Sequence, residues 1–100
     1  MSNTAVKSRE LVTTRISAPS KYKVIFVNDD VTPVDFVIAL LMSIFKHDAN
    51  SATNITVQIH NSGSGVAGIY TFEIAEQKAL DATLVARNNG HPLVIKVEEE

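Results

Sequence analysis

The sequence predicts an α/β (α+β) two-layer sandwich with the element order β-α-α-β-α-β, in which a small three-stranded antiparallel sheet carries helices mainly on one face. Three short apolar runs predict the strands, and three longer segments with apolar residues at helical spacing predict the helices. A chain of 100 residues with 45% hydrophobic side chains is large enough to bury a core as one domain.

Residues 1–21 precede this domain and are expected to form a flexible N-terminal arm. They carry four basic residues and one acidic residue, lack a sustained apolar period, and lead through Ala18-Pro19-Ser20 into the domain, residues 22–100. Because the arm is positive and the whole chain has a formal net charge of −2, the domain itself is distinctly acidic. An acidic surface argues against a nucleic-acid partner and favours cationic ligands or a basic protein surface.

The predicted first strand covers residues 22–27, where Val24 and Phe26 alternate with Ile25 and Val27. Both of its faces are apolar, which is typical of a central strand that is covered on both sides. We therefore expect this strand to lie in the middle of the sheet.

The predicted first helix covers residues 33–46. Thr32 is the expected N-cap, Pro33 the first helical residue, and Asp35 is placed to bond back to the cap. The helix is apolar on more than one flank, so it is either buried on several sides or lines an apolar binding surface.

The predicted second helix covers residues 49–60, with Asp48 as its N-cap and Gly63 beyond its end at a position that suits a positive φ angle. The second strand follows at residues 66–72. Gly68 within this strand indicates a bulge or the close approach of a neighbouring backbone.

The predicted third helix, residues 73–88, has a seam of alanines that suits close packing against the sheet. Gly90 and Pro92 end the helix, and residues 93–97 alternate as the third strand. The seam consists of Ala75, Ala79, Ala82 and Ala86.

The connection between the first strand and the first helix, residues 28–33, reads Asn-Asp-Asp-Val-Thr-Pro. Its acceptor-rich side chains lie beside apolar elements, an arrangement that suits a ligand with a cationic end and an apolar end. These residue types are also ordinary in loops and caps, so the segment alone leaves both interpretations open. The same holds for His60, because the helix dipole favours a histidine as a cap near a helix C-terminus.

The sequence lacks the residues that several kinds of catalytic and metal-binding chemistry require. It has no cysteine, no serine in a nucleophile elbow, and three histidines without metal-ligand spacing. Gly63-x-Gly65-x-x-Gly68 spells the dinucleotide-binding fingerprint but precedes a strand instead of opening a helix, so we reject it. No apolar run is long enough to span a membrane, and no secretory signal is present. We therefore expect no enzyme, metal site, cofactor or membrane association.

Four strings of the sequence point to a known family. Residues 22–37 read YKVIFVNDDVTPVDFV, an Ile-His pair occupies positions 59–60, residues 68–78 read GIYTFEIAEQK, and residues 89–93 read NGHPL. In these strings, across residues 21–100, the sequence resembles the ClpS family of protease adaptors.

The resemblance implies a cytoplasmic adaptor that is not an enzyme: a monomer that binds proteins with a destabilising N-terminal Leu, Phe, Tyr or Trp. It would deliver them to the N-terminal domain of a Clp AAA+ unfoldase of the ClpA or ClpC type. The implied α-amino-group ligands are Asn28, Asp29 and His60, and the implied unfoldase contacts are Glu73 and Lys78. Asp30 and Thr32 would shape the rim, and the side-chain pocket would be lined by Val34, Val37, Thr56, Ile59 and Leu93.

Three positions depart from the family pattern. Val34 stands where Met is usual, Thr56 where a large apolar residue is common, and Val31 where an aromatic residue often precedes Thr-Pro. The shorter side chains at positions 34 and 56 predict a pocket that is wider at its mouth and slightly more polar. We therefore expect Ile and Val to be accepted as well.

A second interpretation with the same architecture is the C-terminal domain of the bacterial ribosomal stalk protein, which recruits translation factors. That domain has a Lys- and Gly-rich surface at a helix turn. Here the corresponding turn, residues 61–65, contains Asn, Ser and Gly without Lys, and the domain is acidic. Charge therefore favours the adaptor over the stalk domain.

Overall fold

A computed structural model describes residues 19–100, which form the six predicted elements in the predicted order. The elements are β1 (Tyr22–Val27), α1 (Val34–Ser43), α2 (Ala49–Ser62), β2 (Ser64–Tyr70), α3 (Phe72–Asn88) and β3 (Val94–Glu99). Of the predicted flexible arm, residues 1–18 lie outside the described residues.

The sheet has the order β2-β1-β3, and both pairings are antiparallel, so the prediction of a central first strand is confirmed. In the β1–β2 pairing, Val24 faces Gly68 and Ile25 faces Val66, which leaves Ala67 as an extra residue in β2. This is the predicted bulge. The close approach at Gly68 comes from the side chain of Tyr70, whose ring lies where a β-carbon at Gly68 would stand, and not from a backbone.

The core lies between the sheet and the helices. Val24 and Phe26 of β1 pack there with Leu40 and Leu41 of α1, and the alanine seam of α3 is buried as predicted. Small side chains along that seam allow the backbone of α3 to lie close to the sheet. Ile25, on the other face of β1, is only 8% exposed but does not belong to this core cluster. The helices are therefore gathered on one face, as predicted for a two-layer sandwich.

The start of α1 differs from the prediction. Pro33, not Thr32, is the N-cap, and no side chain bonds to the cap. The Pro33 carbonyl accepts from the amides of Phe36 and Val37, at 3.1 and 3.2 Å. The Thr32 hydroxyl donates to the Asp29 carboxylate.

The remaining boundaries shift by a few residues for identifiable reasons. α1 ends at Ser43 rather than at residue 46, because Lys46 adopts a left-handed φ of 63°. α2 continues past His60 to Ser62 and ends at Gly63, which has the expected positive φ, and Asp48 caps its start as predicted. β2 and β3 both begin opposite Val27 and pair with β1 as far as Tyr22. The length of β1 therefore determines their extent.

Candidate functional site

A pocket of about 220 Å³ opens where the C-terminal end of β1, the start of α1, the last turns of α2 and the residue before β3 meet. It contains every residue predicted for the ligand-binding site and one that was not predicted. The lining residues are Val27, Asn28, Asp29, Asp30, Thr32, Val34, Val37, Thr56, Ile59, His60 and Leu93.

The loop at residues 28–32, here called the acidic loop, is organised by the carboxylate of Asp29. One oxygen accepts from the amides of Val31 and Thr32 at 2.8 and 2.7 Å, and the other accepts from the Thr32 hydroxyl at 2.8 Å. Such side-chain bonds to the following backbone define an Asx-type turn. The loop therefore has a fixed shape before any ligand arrives.

These bonds also affect the charge of Asp29. Desolvation would raise the pKa of the carboxyl group, but the hydrogen bonds from Thr32 and Val31, with a contribution from nearby His91, outweigh it and lower the pKa below its ordinary value. Asp29 is therefore held as a carboxylate, and three of its roughly four acceptor positions are already occupied.

The acidic loop is tied to the end of α2 by the backbone. The amide of Asn28 donates to the carbonyl of Gly63 at 2.9 Å, so the start of the loop is held beside the C-terminal turn that carries His60. The side chains of Asn28, Asp30 and His60 form no hydrogen bond with another residue of the described part of the chain. These three groups line the pocket and are free to meet a ligand.

His60 was predicted either as a helix cap or as a ligand-binding residue. It lies in the last turn of α2, but its imidazole makes no hydrogen bond to the terminal carbonyls among the described residues, and the helix continues two residues beyond it. Instead it lines the pocket opposite the acidic loop.

The apolar end of the pocket is well buried. Val37, Ile59 and Leu93 are 7, 5 and 2% exposed. Ile59 is held from behind by Gly65 of β2, where an added β-carbon would lie 2.8 Å from Cγ1 of Ile59. A side chain at residue 65 would clash with Ile59, so the glycine leaves room for this pocket-lining side chain.

Thr56 lines the same end but contributes less polarity than its residue type suggests. Its side chain is buried, and its hydroxyl donates to the Ala52 carbonyl one turn earlier at 2.8 Å. The hydroxyl proton is thus used within α2. The oxygen keeps its acceptor lone pairs, so the expectation of a wider and slightly more polar pocket stays a prediction.

Val34 stands at the mouth, as predicted, because it is the first residue of α1 and is 58% exposed while lining the pocket. Val31, at the tip of the acidic loop, is 68% exposed. Val27 was missed by the sequence analysis. Its signal was available, since it is the last residue of β1 and directly precedes Asn28.

The residues predicted to contact an unfoldase lie outside the pocket, on α3. Glu73 is exposed in the first turn. Lys78 is only half-exposed: its Nζ donates to the Ile44 carbonyl at 2.8 Å and lies 5.4 Å from the centre of the Tyr70 ring. Glu73 therefore faces solvent, whereas Lys78 is partly buried and anchors α3 to the end of α1.

The pocket therefore offers three things to a ligand. One end is acidic and rich in hydrogen-bond acceptors, the other end is apolar and buried, and both are rigidly framed. Within residues 19–100, no group of three His, Asp or Glu side chains is arranged to hold a metal ion. A small α+β domain with such a pocket defines a class of binding module that reads a short ligand with one cationic and one apolar part.

The comparisons with known proteins define the family within that class. Residues 17–96 match the family described as ATP-dependent Clp protease adaptor protein ClpS. The chain belongs to this family.

Individual relatives agree with this assignment. An ATP-dependent Clp protease adapter protein ClpS from Shewanella pealeana is 49% identical over 90 residues, 90% of this chain and 88% of the relative. The corresponding protein from Campylobacter jejuni subsp. doylei is 47% identical over 98 residues, 95% of this chain and 99% of the relative. These matches do not favour the ribosomal-stalk interpretation.

A solved structure agrees as well. Agrobacterium tumefaciens ClpS2 bound to L-phenylalaninamide has a TM-score of 0.80 and 35% sequence identity, covering 83% of this chain and 100% of that chain. In the described part of this chain, no helix has the length and apolarity needed to cross a bilayer.

Proposed function

We propose that this chain is an N-degron adaptor: it binds the destabilising N-terminal residue of a substrate protein in the described pocket and delivers that protein to a Clp AAA+ unfoldase. The observation that carries the proposal is the pairing of free acceptors on Asn28, Asp30 and His60 with a buried apolar end at Leu93. An N-terminal residue such as Leu or Phe offers the matching pair, an ammonium group and an apolar side chain.

The ammonium group has three N–H donors and needs acceptors around it. The amide oxygen of Asn28, the carboxylates of Asp29 and Asp30, and a neutral imidazole nitrogen of His60 supply them, and hydrogen bonds to a charged group are stronger than neutral ones. Because Asp29 has most of its acceptor capacity occupied by the loop, Asp30 is expected to contribute directly, beyond its proposed position on the rim.

This arrangement distinguishes a chain terminus from an internal residue. An internal Leu has an apolar side chain but no ammonium, so it would cover the acidic end without supplying the donors that end requires. Desolvated acceptors without partners are costly. The pocket is therefore expected to read a residue and its position at the same time.

The test is fluorescence anisotropy with labelled peptides that differ only in their first residue. Peptides beginning with Leu, Phe, Tyr or Trp are expected to bind, and those beginning with Ser, Glu or Lys are expected to bind at least about tenfold more weakly, or 1.4 kcal/mol. Equal affinity across all first residues would contradict the proposal.

We also propose that Glu73 and Lys78 mark the surface that meets the N-terminal domain of a ClpA- or ClpC-type unfoldase. Glu73 is exposed, and Lys78 would have to exchange its bond to Ile44 for an intermolecular one. A Glu73→Ala/Lys78→Ala variant is expected to bind peptides normally and to lose association with the unfoldase. Glu73→Ala alone separates an interface role from the structural role of Lys78.

A matched control for this surface is Gln77→Ala, because Gln77 is exposed on the same helix and bonds only to Asp81. It is expected to retain unfoldase association in a pull-down with the purified N-terminal domain. Equal loss of peptide binding and unfoldase association in the Glu73→Ala variant would contradict the proposed division between the two surfaces.

The proposed partner places the adaptor in the cytoplasm, acting as a monomer. Support for the compartment comes from the bacterial relatives and from a sequence without cysteine. The molar mass measured by light scattering at micromolar concentration tests whether the protein is a monomer.

A further inference from the structure

Arg87 connects α3 to the apolar end of the pocket. Its Nη1 donates to the carbonyl of His91 at 2.9 Å and to the carbonyl of Leu93 at 2.8 Å. One guanidinium nitrogen thus bridges two carbonyls that lie on either side of Pro92. Arg87 does not itself line the pocket, whereas Leu93 does.

The end of α3 is already capped without this contact. Gly90 has a φ of 77°, the amide of His91 donates to the Ala86 carbonyl at 2.9 Å, and the amide of Gly90 donates to the Arg87 carbonyl at 3.0 Å. These are the two bonds of a Schellman motif. They fix the backbone as far as His91 and do not reach Leu93.

The segment between His91 and β3 needs a separate restraint. Pro92 has no amide hydrogen to donate, and pairing of β3 with β1 begins only at Val94, opposite Val27. The His91 ring packs edge-on against the Phe36 ring of α1, with 4.5 Å between the ring centroids, and this contact holds one end of the segment. Arg87 holds the other end through the Leu93 carbonyl.

We propose that Arg87 is a positioning residue for ligand binding, acting through Leu93 by fixing the backbone that directs this side chain into the pocket. This inference rests on the proposed function, because it assigns a role to Arg87 in the same site. Leu93 is 2% exposed, so a shift of its backbone has no solvent-facing alternative and must be absorbed by the pocket wall.

The experiment measures the affinity of a Leu-initiated peptide by anisotropy for five proteins: wild type, Arg87→Met, Arg87→Lys, Leu93→Ala and the Arg87→Met/Leu93→Ala double variant. Met retains an unbranched apolar stem and good helix propensity but has no donor. Arg87→Met is expected to weaken binding about tenfold, and Arg87→Lys, which keeps a cationic donor, is expected to recover part of that loss. In the Leu93→Ala background the same Arg87→Met change is expected to cost less than twofold.

Asn89→Ala is the matched control. The Asn89 side chain donates to the Val85 carbonyl at 2.8 Å, in the same helix end, and within the described residues it makes no hydrogen bond to residues 91–93. It is expected to change thermal stability as Arg87→Met does while leaving the affinity within about twofold of wild type. An Arg87→Met variant with wild-type affinity, or one with the same loss in both backgrounds, would overturn the proposal.

A readout without ligand separates this inference from the proposed function. The methyl NMR signals of Leu93 are expected to shift or broaden in Arg87→Met and to remain in place in Asn89→Ala. If wild type binds no peptide terminus, the proposed function fails, and unchanged Leu93 signals in Arg87→Met would overturn the positioning role on its own.

Discussion

The polar and apolar ends of the pocket are built in opposite ways. At the polar end, Asp30 and His60 are exposed, and the acidic loop is shaped by hydrogen bonds to the Asp29 carboxylate. At the apolar end, Val37, Ile59 and Leu93 are buried and belong to the same core cluster as the sheet and helices.

The difference indicates how binding and selectivity are divided. Charged and polar groups that are fixed but exposed favour a ligand with an ammonium group without a strict requirement on the shape beyond it. Close-packed apolar side chains tolerate changes in volume poorly, so the buried end discriminates between side chains. Changes to the polar end are therefore expected to affect all N-terminal residues alike, and changes to the apolar end to affect them unequally.

The largest effect is expected from removing the ammonium group of the ligand. Acetylating a Leu-initiated peptide removes the charge and two of the three donors that the polar end is proposed to meet, so binding should weaken by at least about 2–3 kcal/mol. Anisotropy competition between the free and acetylated peptides measures the difference. Equal binding would show that the polar end does not recognise the terminus.

Asp29 is expected to have the next largest effect, about 2 kcal/mol on binding for Asp29→Ala. This substitution removes both the carboxylate charge and the bonds to Val31 and Thr32. Asp29→Asn keeps an oxygen that can accept from the loop amides, so it should lose less. Leu- and Phe-initiated peptides should be weakened equally, and circular dichroism should show an intact fold. Unequal losses would contradict the assignment of Asp29 to the polar end.

Val34 tests the boundary between the two ends, because it stands at the mouth. With the shorter Val there, peptides beginning with Ile or Val are expected to bind within about tenfold of Leu, or 1.4 kcal/mol. Val34→Met should exclude Ile and Val while retaining Leu and Phe, because a longer side chain occupies the space beside the ligand's β-carbon. If wild type already excludes Ile and Val a hundredfold, the steric argument fails.

The smallest effect is expected from acid. A protonated His60 would set a second cation against the ligand's ammonium, so peptide binding should be weaker at pH 5 than at pH 8. Asp29 does not contribute to this fall. Its pKa is lowered from 3.8, so it stays ionised, and its stabilisation of the fold is present above its unfolded-state pKa and lost only as the pH falls through the lower folded-state value.

Two histidine variants assign this pH dependence. His60→Ala should flatten the profile. His91→Gln is the control, since His91 lies near Asp29 and packs against Phe36 without lining the pocket. If His91→Gln flattened the pH profile of peptide binding and His60→Ala left it unchanged, the pH dependence would be assigned to His91, in the turn before β3.

Much of the fold followed from patterns with a local cause. The apolar alternation in β1, the alanine seam of α3, the Asp48 cap and the glycine at the end of α2 each act within a few residues, so the sequence predicted them correctly. The start of α1 was predicted wrongly. The sequence fits a Thr32 N-cap, but in the structure Pro33 is the N-cap and the Thr32 hydroxyl donates to Asp29.

The roles in the site divide in the same manner. The sequence predicted the acidic loop as a binding segment and, through family resemblance, the residues that line the pocket. Only the structure showed that the Thr56 hydroxyl donates within α2 and that the Lys78 ammonium donates to the end of α1, because the partner of each group depends on packing. The predictions from the sequence also passed over Val27, whose strand ends directly at the acidic loop.

By itself, the sequence determined the element order, the central strand, the acidic charge of the domain and the family, because these depend on composition, period and motif. Only the tertiary structure decided which polar groups remain available to a ligand. Asp29 is largely used by its own loop, Lys78 by α1, and Arg87 by the turn before β3, whereas the side chains of Asn28 and Asp30 have no hydrogen-bond partner within residues 19–100. The physical reason is that a hydrogen-bonding group is free only after its neighbours in the folded chain have been satisfied, and those neighbours can be as near in sequence as Thr32 is to Asp29 or as distant as Ile44 is from Lys78.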